Sequence, residues 1–207
     1  MLWLCRPFQI LVILRLKNLF NIAEVQKQFL KHQKKTLQSI DGIGTVIINA
    51  LQHSNTLKIA EKELEFIQKN DIQAFYFDDA DYPYRLKHCI DGPIVLFQKG
   101  DVEWDTSPVI SIVGTRKLTS YGKKQCEELV DSLSVFNPII VSGFAYGADI
   151  TAHKAALNLN SQTVGCMAQG LQNTYPPLHE KYRSGVEKNG GFVTDFWSTA
   201  VFILQIF

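Results

Sequence analysis

The chain is poor in the residues that carry metal and redox chemistry. Among its 207 residues are four cysteines and two methionines. Cys5, Cys89, Cys126 and Cys166 lie far apart, with no CxxC pair and no Cys/His ligand spacing, which excludes a structural zinc site of the usual kind. In a chain of this size they read as the reduced thiols of a cytoplasmic protein. Neither sign of charge is in excess: 21 Lys and Arg stand against 20 Asp and Glu, a formal net charge of +1. That balance neither favours nor excludes nucleic acid, because a local basic face can sit on a neutral protein. A long apolar run is also missing. The opening segment, residues 1–16, is apolar but interrupted by Arg6, Pro7 and Arg15. It is too short for a membrane span, and no small-residue cleavage site follows it. It reads as a buried helix of a first module, and no membrane partner is expected.

The signatures of nucleotide enzymes are absent as well. There is no GxGxxG at the first strand-to-helix turn, no acidic residue in the dinucleotide position after the second strand, no GxxxxGK[ST] and no GxSxG elbow. No paired-carboxylate motif stands out. The expectation is therefore no catalytic residue, no cofactor and no metal.

What is present is a chain with 46% apolar residues, enough for one sizeable α/β domain and a small accessory module. Residues 1–68 read as helical. Within them, Gly42-Ile43-Gly44 sits between two helical patterns and resembles the turn of a helix-hairpin-helix element, in which glycines allow close backbone approach and the next helix start faces a phosphate. An ordinary helix–helix turn accounts for the same residues. Residues 57–69 form a further amphipathic pattern. Residues 71–77 alternate toward a strand, and 94–98 form a short apolar run. Residues 69–108 are read as a connecting segment leading into the sheet.

From Val109 the period changes. Strands are expected at 109–113, 138–141, 163–168 and 191–195, with helices near 120–136, 149–159 and 178–189. This alternation predicts a Rossmann-like, doubly wound parallel sheet over 109–207. The crossovers bring four turns to its carboxyl edge: Gly114-Thr115-Arg116, the stretch from Ser142 to Gly147, Gln169-Gly170-Leu171, and the segment after Asp195. Glycine turns that open helices present backbone N–H groups to an anion. Arg116 can grip a phosphate with two parallel bonds, with Lys117 adding charge. Thr115, Thr119 and Ser142 offer hydroxyls. Tyr146 and Tyr175 offer flat faces for stacking bases. The same glycines would also serve tight connections alone. Lys123 and Lys124 read as a solvated helix face, Asp149 as the cap of its helix, and His153 as a packed core histidine.

The runs SIVGTRKLTSYG, IIVSGFAYGADITAHKAAL, TVGCMAQGLQNTYPP and NGGFVTDF occur in that order over roughly residues 37–198 taken with the helix-hairpin-helix-like stretch. Together they resemble the DNA-processing protein A (Smf) family. The resemblance implies a Rossmann-like domain that binds and protects single-stranded DNA in natural transformation, loads RecA recombinase onto it, dimerises, and has no enzymatic activity. Carried over residue by residue, it implies that Arg116 contacts DNA and that Gly114, Thr115, Ser142, Gly143 and Gly147 face phosphates. Gly170 belongs to the third of these turns. Tyr146 stands where the family often has a basic residue, which exchanges a phosphate contact for stacking. Residues 201–207, VFILQIF, depart from the family pattern, so a truncated domain with an incomplete sheet is expected. Two other readings stay open: a Rossmann-like nucleotide-hydrolysing enzyme, or a non-functional remnant of the DNA-processing family.

Overall fold

The computed structural model of the chain describes residues 54–201. The expectations for the apolar opening, the Gly42-Ile43-Gly44 turn and residues 202–207 lie outside the described residues. The chain divides into two compact units, Met1–Asn70 and Asp71–Phe207. In the first, helix α1 (Ser54–Lys69) carries buried Leu64 and Ile67 three residues apart, as an amphipathic face requires. Its end is closed by Asn70, whose backbone and side-chain N–H groups both donate to the Phe66 carbonyl, at 3.1 and 2.8 Å.

The second unit is built on a six-stranded sheet: β1 (Ile72–Tyr76), β2 (Val95–Gly100), β3 (Val109–Ser111), β4 (Ile139–Ser142), β5 (Thr163–Cys166) and β6 (Gly190–Thr194). The spatial order is β1-β2-β6-β5-β4-β3. Strands β3 to β6 are parallel, with Ile110 opposite Ile140, Val141 opposite Val164 and Gly165 opposite Phe192. This is the parallel sheet that the strand–helix alternation predicts. Two antiparallel strands extend it, β2 against β6 and β1 against β2. The reading of 69–108 as a connector is corrected here. That segment supplies a third of the sheet, and Val95, Leu96 and Phe97 of β2 are all buried, because β2 is flanked on both sides.

Helices α2 (Tyr84–Lys87), α3 (Ser120–Leu133), α4 (Ala148–Asn158) and α5 (Glu180–Lys188) complete the unit, with 3-10 turns at Ser134–Phe136 and Pro177–His179. Among the described residues two apolar clusters pack against the sheet. One holds Val130 of α3, Ile140 of β4 and Ala152, Ala155 and Ala156 of α4. The other holds Tyr82, Leu96, Val102, Ile139, Val164 and Val193. Ile139 and Ile140 are both fully buried, yet they belong to different clusters. Neighbours on a strand point to opposite faces, so the sheet is covered on both. Burying each such side chain contributes about 1.5–3 kcal/mol.

Candidate nucleic-acid interface

The turn between β3 and α3 holds Gly114, Thr115, Arg116 and Lys117, and all four are exposed. Thr115 Oγ1 accepts from the Lys117 N–H at 3.1 Å, and the Thr119 hydroxyl caps α3 by accepting from the Gly122 N–H at 3.1 Å. Both hydroxyls thus have local backbone donors. Arg116 lines an open cleft of about 230 Å³ whose walls also include Tyr146, Asp149, Gln169 and Tyr175. The carboxyl ends of β3, β4 and β5 thereby meet at one rim, as the crossovers require.

The turn between β4 and α4 is different. Ser142 is buried, and its hydroxyl donates to the Ile112 carbonyl at 2.6 Å. It is not the ligand donor expected from the sequence. Asp149 does not occupy the N-cap. The helix starts at Ala148, with Gly147 at the cap in a left-handed conformation (φ 81°). Asp149, one residue into the helix, turns back so that its Oδ2 accepts from the Ala145 N–H at 3.4 Å. A side chain on Gly143 would meet that same oxygen. The anion-attracting start of α4 is therefore filled by the protein's own carboxylate. Burial pushes the Asp149 carboxyl above its ordinary range, against the opposing pull of the Ala145 N–H, the Ser142 hydroxyl and the Arg116 charge.

Gly147 joins the two turns. The Ala148 N–H donates to the Thr115 carbonyl at 3.1 Å, and a side chain at Gly147 would run into Thr115 and Arg116 backbone. A side chain at Gly114 would likewise meet Ala148 Cβ, at 2.8 Å. These glycines let one turn lie on the other. Gly170 is also buried. Its N–H donates to the Ala200 carbonyl at 2.9 Å, and the Trp197–Ser198 backbone lies where its side chain would stand. It is not part of the cleft wall.

His153 is fully buried in α4. Its Nε2–H donates to the Gly143 carbonyl at 2.6 Å, since a carbonyl can only accept. The Thr163 hydroxyl lies between His153 Nδ1 at 2.7 Å and the Ile140 carbonyl at 2.9 Å, its one proton serving either. Burial lowers the imidazole to about 4, so the ring is neutral and ties α4 to β4 and β5. It is the core histidine expected from the sequence.

The two tyrosines are partly exposed, Tyr146 by 43% and Tyr175 by 37%. Tyr146 stands edge-on to His179, centroids 5.0 Å apart. The buried His179 donates its Nδ1–H to the Phe144 carbonyl at 2.8 Å. The loop leading to Tyr175 is held by Arg183 of α5, which donates to the Leu171 carbonyl at 2.6 Å, to Thr174 Oγ1 at 2.9 Å and to Glu187 Oε1 at 2.9 Å. Sequence reasoning missed Arg183. The only signal was its spacing of four residues from Glu187, the helical ion-pair interval. Lys123 and Lys124 form such pairs with Glu127 and Glu128, at 3.8 and 3.6 Å, and lie on the solvated face expected of them.

Fold and rim together define a Rossmann-like α/β protein with an open cleft at the carboxyl ends of its parallel strands. The chain belongs to the DNA recombination-mediator protein A family, whose model matches residues 73–207. It is 32% identical over 140 residues to protein Smf of Borreliella burgdorferi, covering 67% of this chain and 45% of that protein. With DNA processing protein DprA of Bacillus subtilis it shares 41% identity over 96 residues, 46% of this chain and 32% of the other. The chain thus spans less than half the length of these curated relatives. Among solved structures, DNA processing protein A from Streptococcus pneumoniae superimposes with a TM-score of 0.62 at 24% identity, over 77% of this chain and 58% of that one. DNA processing protein A from Helicobacter pylori, a structure described for its unique single-stranded DNA binding mode, gives 0.57 at 27% identity over 65% and 60%. Among the described residues no helix is long and apolar enough to cross a membrane, and no group of three or more His, Cys, Asp or Glu could hold a metal ion.

Proposed function

We propose that this chain binds single-stranded DNA along the rim, with Arg116 as the phosphate anchor and Tyr146 and Tyr175 as stacking faces for bases. The observation that carries the reading is the exposed Arg116 at the mouth of a cleft flanked by two partly exposed tyrosines. Arginine suits phosphate through two parallel N–H bonds. Aromatic faces accept any base, contributing on the order of 1–3 kcal/mol each. Lys117, exposed in the same turn, adds charge without geometric demand. The described single-stranded DNA binding of the Helicobacter pylori relative supports the same reading.

The wider role is a proposal of the same kind: protection of incoming strands in transformation, transfer of the strand to RecA recombinase, and a homodimer that lays one strand across two rims, in the cytoplasm and without enzymatic turnover. The family's description as a recombination mediator supports the second of these. Against a nucleotide-hydrolysing enzyme stands His153, whose two ring nitrogens are both committed inside the core.

The test is binding of a fluorescent single-stranded oligonucleotide at several salt concentrations. Affinity should fall with salt, and Arg116→Ala should weaken binding by about 1–3 kcal/mol through loss of a charge-assisted hydrogen bond. Equal affinity of mutant and parent would remove Arg116 from the interface.

A further inference from the structure

The cleft beneath Arg116 contains a negative group, and that is a poor match for a phosphate. Asp149 lines it from the first turn of α4, and its Oδ2 accepts the Ala145 N–H at 3.4 Å. A carboxylate only accepts hydrogen bonds, through two oxygens with about four lone-pair sites. The Ala145 N–H, the Ser142 hydroxyl and the Asp149 backbone N–H draw on part of that capacity, and the rest is available on the side that lines the cleft. A phosphate placed beside it would be repelled, whereas at Arg116 on the exposed mouth the guanidinium charge offsets that repulsion. The remaining walls include Tyr146, Tyr175 and Gln169, two of them aromatic. The complementary ligand group is flat and carries hydrogen-bond donors.

We infer that the cleft is a nucleobase subsite in which Asp149 selects guanine by accepting from its Watson–Crick edge, while Arg116 holds the adjoining phosphate. The inference rests on the single-stranded DNA reading above. The reason is donor count. Guanine presents N1–H and the N2 amine side by side, matching the two oxygens of a carboxylate. Adenine and cytosine present one exocyclic amine beside an acceptor nitrogen. Thymine presents a single N3–H between two carbonyls, both of which a carboxylate repels. Unstacked bases in single strands are read on this edge. The site thus adds a base preference to a rim that would otherwise be indifferent to sequence.

The experiment compares a twelve-residue thymidine strand with the same strand carrying one central deoxyguanosine, on the full chain. Roughly tenfold tighter binding of the guanine strand is expected, in line with what one good two-point base contact discriminates. Replacing that guanine by hypoxanthine, which lacks the N2 amine, should remove part of the gain. Asp149→Asn should abolish the preference and keep thymidine binding, since an amide oxygen can still accept from Ala145. Equal affinity of the parent chain for all three strands would overturn the inference and leave the backbone-binding reading intact. A guanine preference that survives in Asp149→Asn would also overturn it. No binding of any strand would overturn both.

Discussion

The turn after β3 and the turn after β4 are made of similar residues, a small hydroxyl, glycine and a following helix, but they spend their polar groups differently. In the first, Arg116 and Lys117 are left to solvent. In the second, Ser142 is bonded to Ile112 and the start of α4 is occupied by Asp149. One turn is an exposed cation at the mouth of a cleft; the other is a self-contained bracket that supports it from behind. The lesson is that a glycine turn at the edge of a parallel sheet is an anion site only if the protein has not already supplied the anion. Four substitutions can break or sharpen this contrast.

The largest effect is expected at the bracket itself. Gly147→Val puts a β-branched residue at φ 81° and drives its side chain into the Thr115–Arg116 backbone. A loss of about 3–5 kcal/mol of folding stability should appear in urea unfolding, the range of severe backbone and packing defects. A mild change would mean that the two turns are not locked together. Next is Arg183→Ala. It leaves the Leu171 carbonyl and Thr174 hydroxyl without their guanidinium donors and should cost about 2–3 kcal/mol in the same assay.

Arg116→Ala should behave in the opposite way: stability within about 0.5 kcal/mol of the parent, as for ordinary surface positions, but single-strand affinity clearly reduced. Should Arg116→Ala unfold the protein more than it weakens binding, the two turns would have exchanged roles. The smallest effect belongs to Asp149→Asn and depends on pH. The native carboxyl is raised from its ordinary 3.8, so between that value and the native one the folded state binds more protons than the unfolded state. Stability from this group is present below 3.8 and is lost as pH rises through the native value. The mutant lacks this loss. Its stability relative to the parent should therefore be higher at neutral pH than at mildly acid pH, in paired denaturant titrations. The reverse trend would show Asp149 to be net stabilising when ionised.

Much of this architecture can be read from the chain. The runs at Val109, Ile139 and Thr163 are short, apolar and followed by glycine turns, so both the parallel strands and their shared edge follow from pattern. The runs Ile72–Tyr76 and Val95–Gly100 were legible as strand-like segments but not as members of this sheet. Their place in the sheet is set by β6, which arrives some ninety residues after β2 ends, and local sequence carries no trace of so distant a pairing. The exposure of Arg116 was legible because an arginine in a glycine turn above strand ends has little core to join. The fate of Ser142 was not, since its partner is a backbone carbonyl thirty residues away. Asp149 and Gly143 were each visible, but their opposition emerges only when the helix start folds back over the turn.

The sheet order has a consequence for how the second unit comes into being. Strand β6 sits between β2 and β5, antiparallel to one and parallel to the other, and all five of its residues are buried. As the chain emerges during synthesis, β1 with β2, and β3 with β4 and β5, can pair within themselves but leave two unpaired inner edges facing a gap. The strand that closes the gap is made last of the six. Until it inserts, each half exposes a hydrogen-bonding edge of the kind that recruits other chains. Completion of this sheet is therefore a single late zippering event, and lesions in Gly190–Thr194 should reveal themselves first as aggregation during expression and only afterwards as a lowered melting point.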